Sequence, residues 1–365
     1  MNDRFTILLI KRPILLLVLT AFLLFSLQTN LLGQQSNAND IISIGSIAAA
    51  PGERASGTVE ITSDENASFV PITIINGKKS GPTLVLMAGI HGSEYSPIIS
   101  LQNLMPAIDP NEMSGAIIAI HIVNMPAYLG RTIYISPADG KNLNRSFPGK
   151  ADGTLTERTA YFLTSKVYPL ADAVLDIHSG DGNEQLRPSW VGYYSEEEDA
   201  AVVEASRKMA MVFGLKYAVA FKGSLTPKSK AIWAGSAAIA MGIPSIDVEA
   251  GGMGIVNHYA IEQIETGIRR IMDHLGILET SLPPVEEPTI FGKRFSVNAP
   301  SDGSWFPLVD TEKMVEEGEL IGFMTDWYGK RIFEARAPIS GMLILRLEAP
   351  PVKEGELLIT VAKIE

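Results

Sequence analysis

The stretch Thr83-Leu-Val-Leu-Met-Ala-Gly-Ile90 leads into His91-Gly-Ser-Glu94 and then into Tyr95-Ser-Pro-Ile98. An unbroken apolar run, rather than an alternating one, is the pattern of a strand buried on both faces of a sheet. In open α/β sheets ligands gather beyond the carboxyl ends of such strands, which is where His91 and Glu94 fall. Ser96 suits an N-cap and Pro97 the first helical position, after which Ile98, Leu101, Leu104 and Met105 recur at helical spacing. The His91–Glu94 turn is thereby short and pinned on both sides.

An imidazole and a carboxylate three residues apart on a tight turn can share one ion. A catalytic zinc takes three protein ligands and keeps a fourth position for water. The pair alone is equally what caps a helix, so a metal reading requires a third ligand from elsewhere. Two further short apolar runs supply candidates: Ala171-Asp-Ala-Val-Leu-Asp-Ile177 ends at His178, and Ile243-Pro-Ser-Ile-Asp-Val248 ends at Glu249. If the three strands are parallel neighbours, their terminal side chains converge at one edge of the sheet.

The intervening segments carry helical patterns: Thr154 with Glu157 as a capping box opening a helix to about Leu170, then Glu196 to Phe213, Ala231 to Met241, and Asn257 to Ile277. The last shows Ile261, Ile264, Ile268, Ile271 and Leu275 on one stripe. Strands alternating with helices predict an α/β fold with helices on both faces of the sheet. Residues 41–76 read as antiparallel edge strands, Gly115 to Asn124 and Lys216 to Phe221 as further strands, and the long loop from Asn124 to about Gly153 as functional.

Composition narrows the chemistry. The chain has 365 residues and a formal net charge of −11, with no basic cluster of the kind that binds phosphates, so no nucleic-acid partner is expected. There is no cysteine, which leaves His, Asp and Glu as metal ligands, and only five histidines exist: His91, His121, His178, His258 and His274. His121 lies inside an apolar strand and reads as a core residue; His258 and His274 sit on the amphipathic helix. Asp176, two residues before His178 on the same side of its strand, either orients a ligand or satisfies a loop. Asp247 stands likewise to Glu249 and is left out of the expected site.

Arg4, Lys11 and Arg12 precede the apolar run Pro13 to Phe25, which is short for a spanning helix and fits a secretory signal. Residues 1–35 are therefore read as signal peptide and linker and 36–280 as the catalytic domain, with a linker at 281–289 and a small β-barrel or sandwich domain at 290–365. The expected localisation is exported, periplasmic or secreted. Contact with a membrane would come only through an uncleaved signal.

His91-Gly-Ser-Glu94, Asn142-Leu-Asn-Arg-Ser-Phe-Pro-Gly149, Asp176-Ile-His178 and Glu249-Ala-Gly-Gly252, in that order and ahead of a C-terminal β region, resemble the succinylglutamate desuccinylase/aspartoacylase family. That family belongs with the zinc carboxypeptidases in fold, and the resemblance runs from about Asn76 to the C-terminus. It implies a three-layer α/β domain with a mixed, largely parallel sheet, plus a small C-terminal all-β domain. It also implies one Zn²⁺ per chain on His91, Glu94 and His178, which would lower the pKa of a bound water to about 7.

By the same resemblance Glu249 moves the water's proton to the leaving amine, and Arg131 stabilises the oxyanion. Asn144 and Arg145 grip the free carboxylate of a small-molecule substrate, and Tyr328 reaches over from the β domain, unless it is simply a turn aromatic. Asn142 departs from the usual Asp of the Asp-Leu-Asn-Arg motif, and Ser93 from the more frequent Asn or Asp. The expected activity is removal of the acyl group from an N-acyl amino acid or related small amide. A carboxypeptidase on peptides or peptidoglycan fragments, an esterase and a non-catalytic binding protein stand as alternatives, and the oligomeric state is left open.

Overall fold

The computed structural model describes residues 40–365 apart from 198, 224, 226 and 227. The expected signal segment lies outside the described residues, among which no helix is long and apolar enough to cross a membrane.

At the middle of one large sheet Lys79–Ala88, Ala173–His178 and Ser245–Glu249 lie side by side and parallel. Ala88 pairs with Ile177 and His178 with Glu249, so the three carboxyl ends are level. On one side follow Ser114–Ile120, parallel, and then Ala67–Asn76 and Glu53–Thr62, antiparallel. On the other side Trp190–Tyr194 runs antiparallel to the Glu249 strand, and Tyr217–Phe221 and Thr289–Asn298 each run parallel to the strand before. The sheet is mixed, as expected, with its parallel pairings gathered at the centre.

The unbroken apolar run has a direct cause. Leu84, Leu86 and Ala88 pack into one core with the helices Tyr95–Leu104, Ala200–Phe213 and His258–His274, while Val85 and Met87 pack into a second core with Leu155–Phe162 and Ala234–Ala240. Alternate side chains leave opposite faces and both faces are covered, giving three layers. Each such side chain contributes roughly 1.5–3 kcal/mol by leaving water. The stripe Ile261, Ile264, Ile268 and Ile271 is buried as its spacing required.

Local boundaries differ in places from the sequence reading. The first helix begins at Tyr95, with Glu94 at the capping position and Ser96 buried inside the first turn. The Ser96 hydroxyl instead accepts from the backbone N–H of Asn257 at 3.1 Å, tying this helix to the start of His258–His274. Pro97 is compatible with either start because first-turn N–H groups have no helical partner. The segment expected as one helix to Leu170 is an α-helix, Leu155–Phe162, followed by a π-turn and a 3₁₀ turn.

Residues 279–288 carry no regular structure. The strand Thr289–Asn298 then pairs at its start with Tyr217–Val219 and along its remainder with Leu357–Ile364, so the C-terminal strands extend the central sheet. A separate four-stranded antiparallel sheet completes this region, with Trp305 buried and its indole N–H donating to the Leu347 carbonyl at 3.0 Å.

Glu157 anchors the helix that follows the long loop. Its carboxylate accepts from the Thr154 N–H at 3.0 Å and pairs with Lys141 at 2.9 Å and Lys150 at 3.2 Å. The Thr154 bond first, and Lys141 next, hold the carboxyl down to about 2 from its ordinary 4.5. A lowered folded value means the stabilisation is complete above pH 4.5 and disappears as pH falls toward 2. Glu157→Gln is expected to cost about 1 kcal/mol, lowering the melting temperature by a few degrees at pH 7 and by less at pH 3. Thermal melts at the two pH values check this, and an equal loss at both would rule out the charge.

Candidate active site

Glu94 stands between two imidazoles, its Oε1 2.7 Å from His91 Nδ1 and its Oε2 2.9 Å from His178 Nδ1. One donor atom from each of the three lies within 4.8 Å of the others, and all three side chains are buried. Burial works against the Glu94 carboxylate, but His178 and then His91 outweigh it and hold the group at about 2. Burial likewise disfavours a charged His178, and Asp176 with Glu94 overcome it and place that imidazole well above its ordinary value.

The turn holds this geometry because Gly92 lies against the Ala127 carbonyl, where any Cβ would collide with backbone. Ser93 donates to Asp181 and accepts from the Gly182 N–H at 3.0 Å, joining the first ligand turn to the loop beyond His178. The small hydroxyl at position 93 thus serves the loop junction.

The outer nitrogens of the two imidazoles face different groups. His178 Nε2 lies 3.0 Å from the Asp176 carboxylate, and His91 Nε2 lies 3.3 Å from the Asn142 amide oxygen. With Nδ1 of His91 given to the shared centre, its Nε2–H donates to Asn142, which sets that ring's tautomer; beside His178 Nε2 the Asp176 carboxylate lies at ion-pair distance, with Oδ1 lacking a hydrogen-bond partner among the described residues, and Asn144 Nδ2 is 3.5 Å from the same nitrogen. The unusual Asn142 therefore acts on a ligand, giving His91 a neutral partner where His178 has an anionic one. Asp176→Asn is expected to weaken metal retention by about 10–100-fold. Competition with a chelator, read by metal analysis, checks it; unchanged retention would assign Asp176 to the loop alone.

Glu249 is beside His178 on the neighbouring strand, and its Oε2 is buried with no partner among the described residues. Burial pushes its pKa well above the ordinary value, Glu94, Glu184 and Asp247 add to this, and His178 opposes it. Asp247 is pushed up to about 8, by burial and then by Asp176. Five carboxyl groups, those of Glu94, Asp176, Glu184, Asp247 and Glu249, and two imidazoles thus crowd one buried volume. Two Nδ1 atoms and a carboxylate gathered around a single point, beside an unpartnered Glu249 oxygen, fit a divalent cation in both donor type and charge.

These residues line a cleft of about 1110 Å³ together with Asn144 and Arg145. The Asn144 amide oxygen accepts from the Ala234 N–H at 2.9 Å, so this side chain also ties the loop to the helix Ala234–Ala240. Arg145 donates to the Asn144 carbonyl at 2.7 Å, and its guanidinium lies 5.6 Å from the Trp233 ring centroid, leaving donors directed at the cleft. The structure does not bring two expected residues to it. Arg131 is the exposed, left-handed cap of the short helix Met125–Gly130 and does not line the cleft. Tyr328 is 94% exposed on the Asp326–Lys330 hairpin turn of the separate four-stranded sheet, and the C-terminal region contributes Arg294, Leu345, Glu356 and Leu357 to the cleft instead.

Several cleft residues escaped the sequence reading. Glu184 accepts from the Tyr134 hydroxyl at 2.5 Å and from the Asp181 N–H at 3.0 Å, closing the floor beside the ligands. Its place in Asp181-Gly-Asn-Glu184, directly after His178, was an available signal. Trp190, Trp233 and Arg294 had none, since strand order places the first and last and the helix Ala234–Ala240 places Trp233. His121 is outside the cleft, its Nε2 2.8 Å from Thr73 Oγ1.

The fold and the cluster define a hydrolase-type site: a buried His-Glu-His set at the level ends of parallel strands, with a carboxylate and an arginine facing it. Residues 80–275 match the succinylglutamate desuccinylase/aspartoacylase catalytic domain, and the chain belongs to that family of deacylases, which hydrolyse amide bonds. It is 30% identical over 314 residues to the N-alpha-acetyl-L-2,4-diaminobutyric acid deacetylase of Halomonas elongata, across 83% of this chain and 89% of that one. Its fold is similar to the product-bound ectoine utilization protein EutE (DoeB) of Ruegeria pomeroyi, with a TM-score of 0.78, 25% identity and coverage of 90% of this chain and all of the other (100%). The succinylglutamate desuccinylase of Silicibacter sp. TM1040 gives a TM-score of 0.77 at 25% identity, covering 89% of this chain and 100% of its own.

Proposed function

We propose that this protein is a zinc-dependent amidohydrolase, exported by its N-terminal segment, that removes the acyl group from an N-acyl amino acid carrying a free carboxylate. The observation that carries this reading is the level placement of His91, Glu94 and His178 beside Glu249, with Arg145 opening into the same cleft. The N-acyl amino acid named in the Halomonas relative supports the substrate class.

Arg145 has the donors to take the substrate carboxylate through two parallel hydrogen bonds, and stacking on Trp233 holds its plane. This binding fixes the amide over the ligand cluster. Glu249 accepts the proton of the attacking water and returns it to the departing amine, a role its unpartnered Oε2 leaves open. Asp176 and Asn142 keep both imidazoles oriented throughout. Bound at His91, Glu94 and His178, zinc would acidify a water and polarise the scissile carbonyl.

The test is direct. Protein beginning at about Ser36, loaded with Zn²⁺, is given a mixed panel of N-acyl amino acids and short peptides, and products are followed by mass spectrometry. Release of free amino acid and carboxylic acid, lost on chelation, is expected. C-terminal trimming of the peptides alone would transfer the assignment to a carboxypeptidase. A mature N-terminus cut near Gly33 in the exported fraction tests export, and full-length protein in the cytoplasm would refute it.

A further inference from the structure

A second cavity, of about 610 Å³, shares no lining residue with the cleft. Strand alternation creates it. Along Ala67–Asn76, Val70, Ile72 and Ile74 enter one core, while Phe69, Pro71, Thr73 and Ile75 leave the opposite face. Ile75 is covered, because it packs into the core that holds Leu101 and Leu104 of the helix Tyr95–Leu104. Thr73, Pro71 and Phe69 instead line the groove, against the end of that helix and the turn after it, at Met105 and Pro106.

One end of the groove is polar. Thr73 stands opposite Ser56 on the neighbouring strand, and Thr73 Oγ1 lies 2.8 Å from Ser56 Oγ and 2.8 Å from His121 Nε2. Arg54 is two residues from Ser56 on the same side of its strand and donates to the Ile108 carbonyl. No acidic residue lines this groove, in a chain of net charge −11, so its guanidinium is a cation without a facing carboxylate there. His121 Nδ1 is buried with no partner among the described residues, and burial lowers the pKa of that imidazole, leaving it neutral at pH 7.

We infer that this groove is a binding site for an amphipathic monocarboxylate, with its head on Arg54 and Ser56 and its apolar body along Pro71, Phe69, Met105 and Met125. A guanidinium edge beside a hydroxyl matches the two oxygens of a carboxylate. From Thr73 to Phe69 the strand runs four residues, about 13 Å, room for a chain of roughly eight carbons. The hydroxyl row adds a signature. Each hydroxyl has one proton to give, so an anion that takes the Ser56 proton makes Thr73 donate to Ser56 and His121 Nε2–H donate to Thr73.

The experiment titrates zinc-loaded wild type, Arg54→Gln, Ser56→Ala and Arg145→Gln with octanoate, octanol and acetate by calorimetry. Octanoate is expected to bind, with octanol and acetate each at least about tenfold weaker, since one lacks the charge and the other the chain. Arg54→Gln should weaken octanoate about 10–100-fold and Ser56→Ala by less, while Arg145→Gln leaves it unchanged. In the octanoate complex, ¹⁵N NMR should find His121 as the Nε2–H tautomer; the Nδ1–H tautomer would overturn the proposed contact at Ser56. Binding lost in Arg145→Gln and kept in Arg54→Gln would place octanoate in the catalytic cleft and overturn the second site. Octanol as tight as octanoate would overturn the carboxylate. A dimer broken by Phe69→Ser, with octanoate unbound, would give this face to a second copy of the chain instead.

Discussion

Replacing Glu249 by Gln is expected to lower kcat by about 10²–10⁴-fold, the range that general acid–base catalysis supplies. Metal stoichiometry should stay at the wild-type value and thermal stability should hold or rise. The two halves of this expectation have one cause. Glu249 sits among Glu94, Glu184 and Asp247 with a buried oxygen that has no partner, surroundings that favour its neutral form, so ionising it in the folded state carries a cost. Gln keeps the shape, removes the charge and cannot move the proton. Steady-state kinetics, elemental analysis and calorimetry on one preparation measure all three quantities. A kcat within tenfold of wild type would remove Glu249 from the role of base, whatever happened to stability.

The second large effect is expected at Glu94. Glu94→Ala should abolish stoichiometric metal binding and, with it, turnover. Removal of an outer partner such as Asp176 costs about 10–100-fold in affinity, and loss of an inner ligand should exceed that. Glu94 contributes more than one donor atom in a row. It is the group that separates two imidazoles whose ring centroids are 5.5 Å apart, and it balances both. Glu94→Gln separates these contributions, because it preserves the spacing while removing the charge. Both variants should be read by equilibrium dialysis against Zn²⁺ as well as by activity. Wild-type metal content in Glu94→Ala would show that the ion sits elsewhere and would dissolve the proposed centre.

Some of this site was legible in the residues alone, for identifiable reasons. A strand covered on both faces is apolar at most positions, so Thr83 to Ile90, Ala171 to Ile177 and Ile243 to Val248 were recognisable locally even with Asp176 and Asp247 inside them, and the polar residue following each run stood out against it. His91, Glu94, His178 and Glu249 were found in that way. Ser96 was misplaced because a serine beside a proline looks the same at the capping position and two residues inside the helix, and only the distant Asn257 decides between them.

Tyr328 and Arg131 show the limit of carrying roles across by motif. Each lies at a turn, and where a turn points depends on the body that carries it: Tyr328 belongs to a hairpin of the separate four-stranded sheet, and Arg131 to a helix cap facing solvent. Arg294 is the converse case, a residue with no local signal that reaches the cleft through sheet order.

The sequence by itself determined the class of fold and the three strands that end at His91 with Glu94, at His178 and at Glu249, because double-sided burial and helical spacing are properties of neighbouring residues. The tertiary structure alone decided that those strands are adjacent and level, that Asn142 and Asp176 stand behind different imidazoles, and that a second arginine overlooks the cleft. Those facts depend on pairing between segments tens to over a hundred residues apart, such as Glu249 with Trp190 and Tyr217 with Thr289, and register between distant strands is set by the packing of the whole sheet.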